Sequence, residues 1–169
     1  MLNRLFFAAL ALTLTAACPA EELLFAGQVQ KLTLQPSGVG DCLPPCPVVP
    51  VRDANGMDRI CLSNQGGCQT VEVKVVTQYL GSNNDATHTF RSRTGEWGGL
   101  NFPMTSNVIL VHASDGKATW APLVSRDGKT YFKAASMSSV GVVPVWKLEK
   151  DADGNVPLET LVGRIRAGK

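Results

Sequence analysis

The sequence predicts a mainly β domain, a small closed barrel or a sandwich, finished by one amphipathic helix. Three observations carry that expectation. Short segments alternate apolar and polar side chains, most clearly TVEVKVVTQYL (70–80). Gly-containing bends separate the segments, and Asp115-Gly116 and Asp127-Gly128 are dipeptides suited to two-residue hairpin turns. Only near the end does the period change: Leu158, Leu161, Val162 and Ile165 fall at i, i+3, i+4 and i+7. The chain has 169 residues, room for one domain, and no repeat or linker divides it. Apolar residues at 44% and charged ones at 18% exclude a disordered chain.

Residues 1–20, MLNRLFFAALALTLTAACPA, read as a bacterial-type secretory signal. Arg4 supplies a positive start, and Leu5 to Leu14 form an apolar core shorter than the ~20-residue helix that spans a bilayer. Two cuts fit. Cleavage after Ala20 satisfies the small-x-small rule, whereas cleavage after Ala17 makes Cys18 the first residue. LTAAC resembles the lipobox of bacterial lipoproteins, in which that cysteine is diacylated and tethers the chain, although Thr15 stands where Leu is usual. Either cut places the protein in the periplasm or cell envelope.

Residues 21–169 are then expected to form a single β domain. LLFAGQVQKLTL (23–34) reads as a first strand, kinked at Gly27. A loop follows from Gln35 to about Gly67, and VVPVR (48–52) inside it is at most an edge strand, because Pro50 cannot donate to a central ladder. In 70–80, Val71, Val73, Val75, Thr77 and Tyr79 share one face and Glu72 and Lys74 the other. GSNND (81–85) turns into THTFRSR (87–93), and the bend TGEWGG (94–99) follows. VILVHA (108–113) suits a buried strand, and the two Asp-Gly turns lead into KATWAPLV (117–124) and KTYFKA (129–134). VGVVPVWKL (140–148) reads as a strand interrupted at Pro144. DADGN (151–155) is a turn, and Pro157 suits the first position of a helix over 157–167.

FAGQV (25–29), a long loop, VEVKVVTQYLG (71–81) and GGLNFPMTSNVILVHA (98–113) together resemble the netrin-like domain. That family includes the tissue inhibitors of metalloproteinases and smaller bacterial relatives. The resemblance, over about residues 18–134, implies a five-stranded oligonucleotide/oligosaccharide-binding (OB) barrel. It also implies metalloprotease binding through an N-terminal Cys-x-Cys whose amine and carbonyl reach the protease zinc. Here Cys18 is followed by Ala20 where the second cysteine would stand, and Leu80 replaces a basic residue of the family pattern.

The 16 Lys and Arg against 14 Asp and Glu leave a net charge of +2, which falls to +1 when Arg4 is removed with the signal. Such a balance supplies no field for nucleic acid or an anionic membrane. Membrane contact is expected only through a lipid on Cys18. Five cysteines are an odd number for an exported protein. Setting Cys18 aside leaves Cys42, Cys46, Cys61 and Cys68, expected to form two disulfides. Across Pro44 and Pro45 an extended polyproline path would separate Cys42 and Cys46 by ~12 Å, more than the ~7 Å a disulfide tolerates. Cross-pairing of the CLPPC segment with Cys61 and Cys68 needs no tight turn.

CLPPCP (42–47) also fits the C-x-x-x-C-P spelling of thioredoxin-fold copper-delivery proteins, which makes Cys42 and Cys46, with His112 or His88, an alternative soft-metal or thiol-redox site. Those proteins place the motif between a strand and a helix, whereas Gln35 to Asp41 is a loop. His88 is expected to face solvent or pair across the sheet, and His112 to be a satisfied sheet-edge histidine. There is no G-x-S-x-G, and Ser136, Ser138 and Ser139 lie in a plain small-residue stretch. DADGN fails the EF-hand spacing, with Val162 in the twelfth place where a Glu is required. Trp120 and Trp146 are expected in the core or at its edge, and Trp97, in GEWGG, at a binding surface. No cofactor is expected. The function these residues support is a non-enzymatic envelope module binding a protein or polymer through loops, metalloprotease binding being its sharpest form. An enzyme would need His88 or His112 in a pocket with an acid.

Overall fold

The computed structural model describes residues 21–44, 52–58, 66–82, 85–94 and 101–168. They form β1 (Leu23–Gln35), β2 (Cys68–Leu80), β3 (Thr87–Arg93), β4 (Val108–Ser114), β5 (Lys117–Arg126) and β6 (Lys129–Lys133). Two-residue strands β7 (Ser139–Val140) and β8 (Val143–Pro144), then β9 (Asn155–Pro157) and the helix α1 (Leu158–Ala167), complete the order. The main sheet runs β3-β2-β1-β4-β5-β6-β9, every neighbour antiparallel, with β7 and β8 as a separate hairpin. Its first four strands have the Greek-key order, in which β4 returns by a long connection to lie beside β1. The mainly β architecture and C-terminal helix are as expected.

Closure of the barrel is not. Among the described residues β3 and β9 are the edges of an open sheet, and no ladder joins β3 to β5. Side chains bridge that gap instead. Phe102, on the segment leading into β4, lies between Phe90 of β3 and Trp120 of β5, with ring centroids 6.1 and 6.4 Å away. Polar contacts hold that segment in place: buried Gln69 receives the Phe102 N–H, Trp120 Nε1 donates to the Asn101 carbonyl, and Gln28 Nε2 donates to that of Ser106.

The sheet is buried on both faces. Leu24 and Phe25 are consecutive and both fully buried, because strand side chains alternate and each face here has its own core. On one face Leu24, Leu110, Ala121 and Phe132 pack under β7, β8 and α1, whose Leu158, Leu161, Val162 and Ile165 are buried as their spacing predicted. On the other, Phe25, Val71, Val73, Ile109 and Val111 form a second core with Phe102.

The face expected for β2 holds only in part. Val71 and Val73 enter the core around Phe25, but Tyr79 packs against the helix-side core. The β1–β2 register jumps from Leu80 to Gln78 and from Thr77 to Val75, leaving Tyr79 and Val76 as extra residues on β2. Each such bulge reverses the alternation and sharpens the twist. At the second jump stands Gly27, where an added Cβ would lie 2.6 Å from Val73 Cγ1 and 3.0 Å from the Lys74 carbonyl oxygen. Gly27→Ala should therefore cost about 1–3 kcal/mol by overpacking. Urea unfolding checks this, and a loss under about 0.5 kcal/mol would show that β1 can move aside.

The Asp-Gly turns have positive φ at both central residues: Asp115 (51°) with Gly116 (72°), and Asp127 (50°) with Gly128 (74°). That is the type I′ geometry that matches strand twist. The single strand expected over 140–148 is instead the β7–β8 hairpin followed by a one-turn helix at Val145–Lys147, since Gly141 reverses the chain. VVPVR lies mostly outside the described residues; its Arg52 forms an isolated bridge with Asp58. Pro157 closes β9 and α1 begins at Leu158, one residue later than expected.

DADGN is a turn closed by the Asp151 carboxylate, which accepts from the backbone N–H groups of Asn155 and Asp153 and from Asn155 Nδ2. The Asn155 backbone bond, followed by the one from its side chain, holds the Asp151 carboxyl below the usual carboxylate range. A depressed folded-state pKa contributes stability above the unfolded value, lost as pH falls through the folded one. Wild type should thus lose more stability than Asp151→Ala between neutral pH and the acid range, as thermal melts at each pH would show.

Candidate functional site

Candidate functional residues lie at the two ends of the 13-residue β1, which at ~3.3 Å per residue would span at most about 40 Å. At its C-terminal end the Cys42–Cys68 disulfide, with Cα atoms 5.7 Å apart, pins the start of the β1–β2 loop onto β2. This is one of the cross-pairings expected; Cys46 and Cys61 lie outside the described residues, as do Cys18 and Trp97. The local turn explains why Cys42 points back: the Gly38 N–H donates to the Cys42 and Leu43 carbonyls, and the Cys42 N–H to that of Val39. Arg91 of β3 adds a second tie, to Asp41 at 2.6 Å and Gln35 Oε1 at 3.1 Å. Gly67 precedes Cys68 with φ +84°, where a side chain would meet the Gln35 carbonyl. Leu34, near the end of β1, and Val39 and Leu43 on the braced loop are 68, 51 and 52% exposed.

At the N-terminal end, Glu22 enters from the residue before β1. Its Oε1 lies 2.6 Å from His112 Nε2 and accepts the Gly141 N–H from the β7–β8 turn. Glu21 beside it accepts from the backbone N–H and hydroxyl of Ser82. The Glu22–His112 pair floors a cleft of about 460 Å³, with Ser114, Lys117, Ser138 and Ser139 among its walls. His112 is thus satisfied, as expected, but on the central strand β4 rather than at a sheet edge, and by an acid in a pocket. That pairing meets the condition set above for an enzyme, since an imidazole–carboxylate pair can relay a proton; here the same oxygen also accepts the Gly141 N–H and fastens the β7–β8 turn, a structural use that requires no substrate.

His88 departs from expectation. It is 8% exposed, lies 5.1 Å from the Phe25 ring, and its Nε2 has no partner among the described residues. Its neighbours Thr87 and Thr89 are exposed, so the alternation of β3 sends His88 and Phe90 inward. With Cys42 bonded to Cys68, the metal or redox alternative lacks a free thiolate at one of its two cysteines. No group of three or more metal-ligating side chains occurs among the described residues. Trp120 is half-buried as expected, whereas Trp146 is 64% exposed, on the one-turn helix rather than a strand. Among the described residues no helix is long and apolar enough to cross a membrane.

Sequence reasoning missed Glu22 and Gly141, whose contact spans 119 positions. Glu22 read only as the residue ending the apolar leader, and no local pattern marks such a pairing. No family model matches the chain, and no curated protein or solved structure is detectably similar to it.

Proposed function

We propose that the protein is a non-enzymatic exported module that binds a protein partner through its disulfide-braced β1–β2 loop. One observation carries this reading: exposed Leu34, Val39 and Leu43 sit on a segment tied down by the Cys42–Cys68 bond and the Arg91–Asp41 pair. Preorganised apolar side chains bind with little ordering cost. Aliphatic groups favour a protein over a polysaccharide, which calls for stacked aromatic platforms. The loop joining the first two strands is also a common recognition loop of five-stranded Greek-key barrels. Under the netrin-like resemblance the partner would be a metalloprotease, which an inhibition assay tests directly.

Photo-crosslinking residues placed at positions 39 and 43 in the native host should give the same protein adduct. The Leu34→Asp variant should lose it, and a crosslinker at position 117 should not form it. Adducts that do not depend on position would defeat the proposal. The alternative, metal or thiol-redox handling through Cys42 and Cys46, requires reduction of the Cys42–Cys68 bond. Thiols titrating at both positions in the native protein, with Cu(I) uptake, would establish it instead.

A further inference from the structure

Beyond loop binding, we infer that the opposite end of the domain rests on a lipid bilayer, with Val142 and Trp146 as its contacts. Val142 is 82% exposed at the tip of the β7–β8 turn, and Trp146, four residues on, is 64% exposed. Single exposed apolar residues are ordinary; their place in the fold is what matters here. The turn bearing Val142 is fastened by its Gly141 N–H to Glu22, where residues 1–20 join the domain. Three residues, Pro19, Ala20 and Glu21, lie between Cys18 and Glu22, and the four steps fully extended reach about 13 Å. Any tether to a membrane through that leader therefore brings the Val142 tip to the headgroups. This inference rests on the reading of Cys18 as a lipid anchor and not on the loop proposal.

A second observation concerns Trp146 itself. The Lys147 ammonium lies 5.0 Å from the Trp146 ring centroid, and Lys150 Nζ donates to the Trp146 carbonyl at 2.9 Å. An exposed indole with a lysine over its ring and a second lysine at its backbone carbonyl suits the interface, where tryptophan sits at headgroup level beside long basic side chains. Glu149 lies between the two lysines in sequence, so apolar insertion rather than net charge supplies the contact.

The test uses the full chain, expressed with its own N-terminal segment and mixed with phosphatidylethanolamine–phosphatidylglycerol vesicles whose acyl chains are brominated near the headgroup. The expected result is co-flotation and a loss of tryptophan fluorescence that is absent from Trp146→Phe. Val142→Asp should reduce that quenching roughly twofold or more, since the anion resists entry. Both side chains are exposed, so matching thermal melts will show that the variants fold. A Cys18→Ser chain that still shows Trp146 quenching would support the inference and show that the face binds without a lipid. Floated protein whose quenching is equal in wild type and Trp146→Phe would overturn it and leave this face to a protein contact. Failure of the wild type to float would also overturn it.

Discussion

Replacing Cys42 and Cys68 together with alanine is expected to lower the unfolding free energy by about 3 kcal/mol. The bond joins residues separated by 26 positions, and its loss frees the unfolded chain to explore conformations that the closed loop denies it. The folded state loses little of its core, because Cys42 lies on a loop and the β1–β2 ladder continues to Gln35 without it. Urea denaturation of the oxidised proteins measures the difference, and a loss under about 1 kcal/mol would mean that other ties close the same loop. The functional consequence is separable. Arg91 would still hold Asp41, but the Val39–Leu43 turn would sample more positions, so crosslinking from position 39 should weaken even where the protein stays folded.

Phe25→Ala is expected to cost about 3–5 kcal/mol, and Leu24→Ala about 2–5 kcal/mol. That two adjacent residues should both be so costly is the signature of a sheet buried on both faces. The losses should differ in place. Phe25 supports Val73, Val111 and the His88–Phe90 pair, so its removal should speed amide exchange in β2 and β3. Leu24 lies in the core beneath α1 and the β7–β8 hairpin, so its removal should loosen those elements. Hydrogen exchange resolved by segment checks both, and identical patterns would mean that the two cores unfold as one unit.

Most elements could be read locally. The Asp-Gly dipeptides mark two hairpins because aspartate and glycine tolerate the positive φ that a type I′ turn demands. The helix declares itself through Leu158, Leu161, Val162 and Ile165, all buried. The alternation of β2 predicts Val71 and Val73 correctly and then misplaces Tyr79. A bulge adds a residue without leaving a mark in the hydrophobic pattern, and Gly27 hints at it only once Val73 is known to lie against it. For His88 the residues allow exposure to solvent or pairing across the sheet; it stands opposite Val73 in the ladder, and the packing of its ring on Phe25 is a contact between distant strands that no local pattern marks.

Alone, the sequence determined the periods, the turns and the positions where the backbone must reverse, since propensity and sterics act over a few residues. Only the tertiary structure decided which edge stays open, which cysteine meets Cys68, and that Glu22 reaches both His112 and Gly141. Those contacts join residues 26, 90 and 119 positions apart. Their physical cause is the order in which strands stack and twist, which side-chain type at any single position does not encode.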